Sequence, residues 1–188
     1  MASMTIVADP PDSSTPLGAR LCTACGLCCT GAIHDTARLD PDEVERAAEL
    51  GLPVVGGTNA FALPCPKLTG TACSIFGSRP RVCGRYRCRL LQDVEAGAVE
   101  LPVAMELVRI ARELEAAARA SLTGSLPEAR YRARHGALPD VLSASPTAER
   151  PRVAAEKLHV TALDLFLDKH FRNDRDIRMY KDGQAPIK

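Results

Sequence analysis

Leu21-Cys22-Thr23-Ala24-Cys25-Gly26-Leu27-Cys28-Cys29 packs four of the chain's eight cysteines into eight positions. The other four follow as Cys65, Cys73, Cys83 and Cys88. Two-residue spacers let a backbone wrap one metal with two thiolates about 3.5–4 Å apart, set by a metal–sulfur bond of about 2.3 Å and the tetrahedral angle. Gly26 eases the tight turn that such wrapping needs. The gaps after Cys29 are long, so partners for this run arrive only through folding.

Cys28 and Cys29 are adjacent, and neighbouring side chains diverge. Two metals, or one cluster plus a separate thiolate, therefore suit eight cysteines better than a single zinc. The run Cys22-x2-Cys25-x2-Cys28 also has the spacing of bacterial iron–sulfur runs, and a Cys-Pro pair follows as Cys65-Pro66. The x3 spacer before the fourth cysteine is missing, so that match is partial. Scattered small hydrophobes would not bunch in this way. Disulfides need an oxidising compartment, and MASMTIVADPPDSSTPLG offers neither a cationic leader nor an apolar run of signal-peptide length. We expect a cytoplasmic protein whose cysteines bind metal, either zinc or an iron–sulfur cluster.

The frame around the cysteines reads as mostly α. Ala and Leu carry most of the apolar content, against four Phe, three Tyr and no Trp. A net charge of +1 gives the molecule no bulk field for nucleic acid or anionic membranes. No apolar run reaches the roughly 18–20 residues of a membrane span. We expect a flexible leader over 1–20, a cysteine-cluster metal-binding domain over 21–124, and a helical C-terminal extension over 125–188. The domain's cysteine-rich half is irregular and packs on a few helices.

Asp40 to Gly51 has a cap, a first-turn proline and a glycine stop, and predicts a helix. Another is expected over Arg87–Glu95. The clearest runs from Pro102 to Leu122, with Val103, Leu107, Ile110, Leu114 and Ala118 as its apolar face and Glu115 on the surface. A short helix is expected over Pro127–Arg134, and a linker from Leu138 to Pro151. A last helix over Val153–Phe171 carries Ala154, Leu158, Ala162, Leu165 and Phe166 on one side. The tail from Arg172, mixed in charge, reads as a solvated end.

The order CxxCxxCC, Cys65-Pro-Lys-Leu68, Cys73-Ser-Ile-Phe76, Arg79-Pro-Arg-Val-Cys83 and Cys88 resembles the YkgJ-type zinc- or iron-chelating cysteine-cluster family. That family includes the flagellin lysine N-methylases. The resemblance covers about residues 21–120 and implies metal chelation by the cysteines. On activity it implies less: a protein-lysine N-methyltransferase-like enzyme is the alternative, and no catalytic residue is named. There is no G-x-G-x-x-G after a strand, no G-x-S-x-G, no Walker loop and no H-E-x-x-H.

Arg79, Arg81, Arg85, Arg87 and Arg89 place five cations in eleven residues. Four thiolates on one divalent metal carry about −2 net charge. We read these arginines as compensation for that charge in preference to a nucleic-acid face; Tyr86 is the lone aromatic among them. His34 is read as a group near the site and not a ligand. His159 and His170 share a helix face but lie about 16 Å apart at 1.5 Å per residue, so they cannot share a metal. His135 sits at an expected helix end.

Overall fold

A computed structural model describes residues 16–181, and the side chains of Val141 and of 178–181 lie outside the described set. The fold is mostly helical. α1 (Leu17–Cys25) leads into the cysteine run and ends at Gly26, whose φ of 70° is left-handed. Its amide donates to the Cys22 carbonyl at 3.3 Å, and a Cβ there would stand 3.4 Å from Thr71 Cα. Glycine thus makes both the helix stop and the close approach possible.

The segment that follows is irregular. β1 (Thr36–Arg38) pairs antiparallel with β2 (Ala60–Ala62), with Ala37 opposite Phe61. Between them lie a 3₁₀ turn at Pro41–Glu43 and α2 (Val44–Glu49). The Asp40 amide donates to Glu43 at 3.4 Å, and Gly51 follows α2 at φ 70°, so the stretch from Asp40 to Gly51 ends as expected but opens as 3₁₀. β3 (Leu68–Thr69) pairs with β4 (Ala72–Cys73), a minimal hairpin. This half has a small core of its own: Leu39, Ala47, Leu52 and Phe61.

The helical frame comes next. A short α3 (Arg81–Arg85) that was not expected precedes α4 (Arg89–Glu95), the helix expected over Arg87–Glu95. α5 (Leu101–Ser121) and α8 (Arg150–His170) form the central pair, with α6 (Leu126–His135) and α7 (Leu138–Ser143) packed on α8. α9 (Asp174–Lys181) closes the described chain. Leu21, Leu27, Ile33, Leu90, Val108, Ala129, Leu163 and Phe171 belong to one buried cluster, which crosses from the cysteine run to the C-terminal helices.

Several expectations are corrected. Residues 17–20 are helix and not leader; 1–15 lie outside the described residues. The stretch 138–151 is not a bare linker but holds α7 and a 3₁₀ turn at Thr147–Glu149. The α5 face is rotated by one position. Ala104, Val108, Ala111, Glu115 and Ala118 are buried, while Val103 is 53 % exposed. Small residues win that face because α5 lies close against α1 and α8. On α8 the inner face is Glu156, Val160, Leu163, Asp164 and Leu167, and Leu158 and Leu165 stand outside.

The reason is electrostatic. Arg130 and Arg172 are 1 % and 0 % exposed, so Arg172 opens no solvated tail. Asp164 accepts from Arg130 Nε at 2.9 Å, Arg134 Nε at 2.8 Å and Arg172 at 3.0 Å. Arg130 also pairs with Asp35, and Arg172 with Asp168 at 2.7 Å. Buried charges persist only when paired and hydrogen-bonded, and a polar face then goes inside at the expense of two leucines.

Candidate metal centre

Arginines also hold the backbone of the cysteine run. From α5, Arg112 donates to the Ala24 carbonyl at 3.2 Å and Arg119 to that of Thr30 at 2.5 Å, while Glu115 braces Arg119 at 2.8 Å. From α6 and the end of α8, Arg130 and Arg172 donate to the Ala32 carbonyl at 2.7 and 3.0 Å, and Arg172 also reaches Ile33. Four guanidiniums thereby satisfy carbonyls of the loop that carries Cys25, Cys28 and Cys29. Sequence reasoning missed all four. Their only sequence signal is an excess of arginine opposite acids on helices whose buried faces periodicity alone misassigns.

All eight cysteines are free thiols, and none belongs to the buried core. Cys22 and Cys83 are exposed, and the other six are half-buried. α1 and the turn after it present Cys22, Cys25 and Cys28. Cys88 caps α4, its Sγ accepting from the Leu91 amide at 3.4 Å, and α4 packs against α1. Cys25, Cys28 and Cys88 lean on the large core cluster. On the other side, the Cys65 amide donates to the Cys29 carbonyl at 2.8 Å. Cys73 lies opposite Leu68 in the β3–β4 hairpin, and Cys65 packs with Ile75 and Val82 on the small cluster.

The thiols feel one another in the same groups. Burial pushes Cys25 up to about 12, with the nearby charges of Cys88 and Cys22 adding to it. Burial likewise raises Cys28, beside Cys25 and Cys88, and lifts Cys88 to about 11, beside Cys22. Burial raises Cys29 to about 11 and Cys83 to about 12, each in the field of Cys65 and Cys73. Cys22 and Cys65 are also raised by burial. A half-buried thiolate needs a cation beside it, which a bound metal supplies.

Arginine supplies part of that charge. Arg79 lowers Cys22, Cys29 and Cys83, Arg87 lowers Cys22, and Arg112 lowers Cys25. The rest of the basic run points elsewhere. Arg81 pairs with Asp40 at 2.8 Å and Asp42 at 2.5 Å, Arg85 with Asp40, and Arg89 with Asp174 at 2.9 Å. Charges near a metal's ligands tune its affinity, typically by about 10–100-fold. Arg79→Ala is therefore expected to weaken metal binding at least about tenfold, and Arg81→Ala to leave it unchanged, read by competition with a chromogenic chelator.

The histidines do not join the thiols. Burial lowers His34 to about 4, against the opposing pull of Asp176, so it is neutral at pH 7. It stands edge-on to Tyr86, whose hydroxyl donates to Asp176 at 2.9 Å. His135 stacks near Tyr131 and His170 near Phe166. Two surface clefts, one along Arg134, Asp164 and Asp168 and one along Asp42, Arg46 and Arg79, have no cysteine in their walls.

Residues 21–100 match the family model CxxCxxCC, described as "Putative zinc- or iron-chelating domain". Over this stretch the chain is similar to that domain family. No curated protein and no solved structure matched the chain. The matched stretch contains all eight cysteines, and thiolate sulfur suits zinc, iron or an iron–sulfur cluster over hard cations. Among the described residues, no three His, Cys, Asp or Glu side chains are placed so that they could hold an ion as they stand. The donors fit in chemistry and in the segments brought together.

Proposed function

We propose that the chain holds zinc or an iron–sulfur cluster through the thiolates of Cys22, Cys25, Cys28, Cys29, Cys65, Cys73, Cys83 and Cys88. The observation that carries this is where the cysteines lie. Eight free thiols, carried by five separate segments, stand outside the apolar core, and several lie within electrostatic reach of one another and of Arg79, Arg87 or Arg112. Cysteines serving as small hydrophobes would sit in the core, and cysteines serving as staples would be paired. Free thiols in this number suit a reducing compartment such as the cytoplasm. Among the described residues, no helix is long and apolar enough to cross a membrane.

Metal binding here is chiefly structural: it ties the irregular, cysteine-rich half together. The alternative, a protein-lysine N-methyltransferase-like activity, gains no support from the clefts or the comparisons. Protein purified without oxygen tests the reading by its absorbance spectrum and its content of metal and acid-labile sulfide. Stoichiometric zinc in a colourless product, or iron with sulfide in a brown one, is expected. A product with neither overturns the proposal.

A further inference from the structure

We infer that the eight cysteines form two separate four-thiolate centres, Cys22/Cys25/Cys28/Cys88 and Cys29/Cys65/Cys73/Cys83, each taking its own thiophilic metal. The inference rests on the chelation reading above and adds its ligand partition.

Three features favour a division of the cysteines at the Cys28–Cys29 peptide, although the hairpin that carries Cys73 also touches α1. The first is packing. Cys25, Cys28 and Cys88 abut the large helical core, whereas Cys65 abuts the small cluster of Leu39, Ala47, Leu52 and Phe61. The second is backbone connection. Cys22, Cys25 and Cys28 belong to α1 and its terminal turn, and α4 brings Cys88 to them. Cys29 is tied instead to Cys65 by a 2.8 Å amide bond. Leu68, opposite Cys73 in the hairpin, donates back to the Cys65 carbonyl at 3.2 Å.

The third is proximity of charge. Cys25 acts on Cys28, and Cys88 on both of them, in the first set. Cys29, Cys65 and Cys73 act on Cys83 in the second. The sets are neighbours and not strangers: Cys29 is felt by Cys28, and Cys22 by Cys29. Arg79 lies within reach of both, acting on Cys22 in one and on Cys29 and Cys83 in the other. Two four-thiolate centres on divalent metals would each carry about −2 charge, and a shared cation between them reduces their repulsion.

Four sulfurs complete a closed tetrahedral site, so eight cysteines fill two such sites with none left over. Adjacent residues also suit the division, because Cys28 and Cys29 can each point toward a different centre.

The test is a cobalt(II) titration of the reduced, metal-freed full chain, followed by the sulfur-to-cobalt charge-transfer band. The absorbance is expected to break at about two equivalents. Cys88→Ser and Cys73→Ser, purified without stripping, should each keep about half of the wild-type metal, and the double variant almost none. Cys28→Ser and Cys29→Ser should lose metal from different centres, so combining Cys28→Ser with Cys88→Ser costs no more than either alone, while combining it with Cys73→Ser empties both. A break at one equivalent, or full metal loss from every single variant, overturns the partition while leaving chelation standing. Wild-type chain that takes up no cobalt and is purified without metal overturns chelation itself. The break in the wild-type titration needs no variant, so it decides whether the chain holds two metals even if a serine variant misfolds, and the paired variants that fold decide the partition.

Discussion

Stripping the metal from the intact chain is expected to abolish the protease resistance and amide protection of residues 36–83 while leaving α5 and α8 protected. The irregular half buries only Leu39, Ala47, Leu52 and Phe61 as its own core and has strands of two or three residues. Such a segment cannot offset its chain entropy of roughly 1–2 kcal/mol per residue. A structural zinc contributes about 10–16 kcal/mol of apparent binding free energy in zinc-dependent peptides, comparable to the whole stability of a domain. The helices depend on it less, because α5 and α8 share a continuous apolar cluster with α4 and α6. Limited proteolysis with mass mapping, before and after verified metal removal, reads the difference. Unchanged protection of 36–83 counts against a structural role for the metal.

Asp164→Ala is expected to destabilise the fold by about 3 kcal/mol, a fall in Tm of roughly 6–12 °C for a chain of this size. The carboxylate is 4 % exposed and accepts from three arginines, two of which are themselves buried. Removing it leaves those guanidiniums short of a counter-charge in a dry place. Arg130 and Arg172 also hold the Ala32 carbonyl, so the cysteine loop should loosen as well and retain metal less tightly. The exposed Asp42→Ala serves as control and should leave Tm where it was.

The same site gives a pH dependence. Burial pushes Asp164 up, but Arg130, Arg172 and Arg134 outweigh it and hold the carboxyl below the ordinary range. A folded value below the unfolded value of about 3.9 means stability that is present above that pH and is lost as pH falls through the folded value. The stability gap between wild type and Asp164→Asn should therefore be full above about pH 5 and close below about pH 4. Asp35 runs the other way, since burial raises it despite Arg130. A gap that stays constant down to pH 3 would contradict the assignment.

The parts of this structure legible in sequence are those fixed by local chemistry. Gly26 makes the tight turn expected of it and Gly51 ends its helix, because a left-handed residue is needed at each. The cysteine spacing was enough to expect metal, and the adjacency of Cys28 and Cys29 enough to suspect a division of roles. Which distant cysteines approach the first run was not legible, because it depends on α4 docking against α1 and on Cys65 reaching the Cys29 carbonyl.

Helix faces were misread where burial does not follow hydrophobicity. α8 turns Glu156 and Asp164 inward and leaves Leu158 67 % exposed, because Asp164 answers the buried Arg130 and Arg172 while Glu156 accepts from Thr123 and from Arg132. α5 offers Ala104, Ala111 and Ala118 to its neighbours in place of larger residues, since close helix approach favours small side chains. The arginine run divides for a similar reason. Arg81 and Arg85 find Asp40, about forty positions away in sequence, and of this run Arg79 and Arg87 act on the thiols, Arg87 while paired with Glu95 at 3.4 Å.

The most direct test of thiolate chelation is X-ray absorption at the edge of the metal found in the purified chain. Its fine structure reports the ligand atoms and their distances. A first shell made only of sulfur, at about 2.3 Å for zinc or iron, is the result expected from eight cysteine ligands. A shell dominated by nitrogen or oxygen at about 2.0–2.2 Å would mean that the metal sits elsewhere, and would contradict the account.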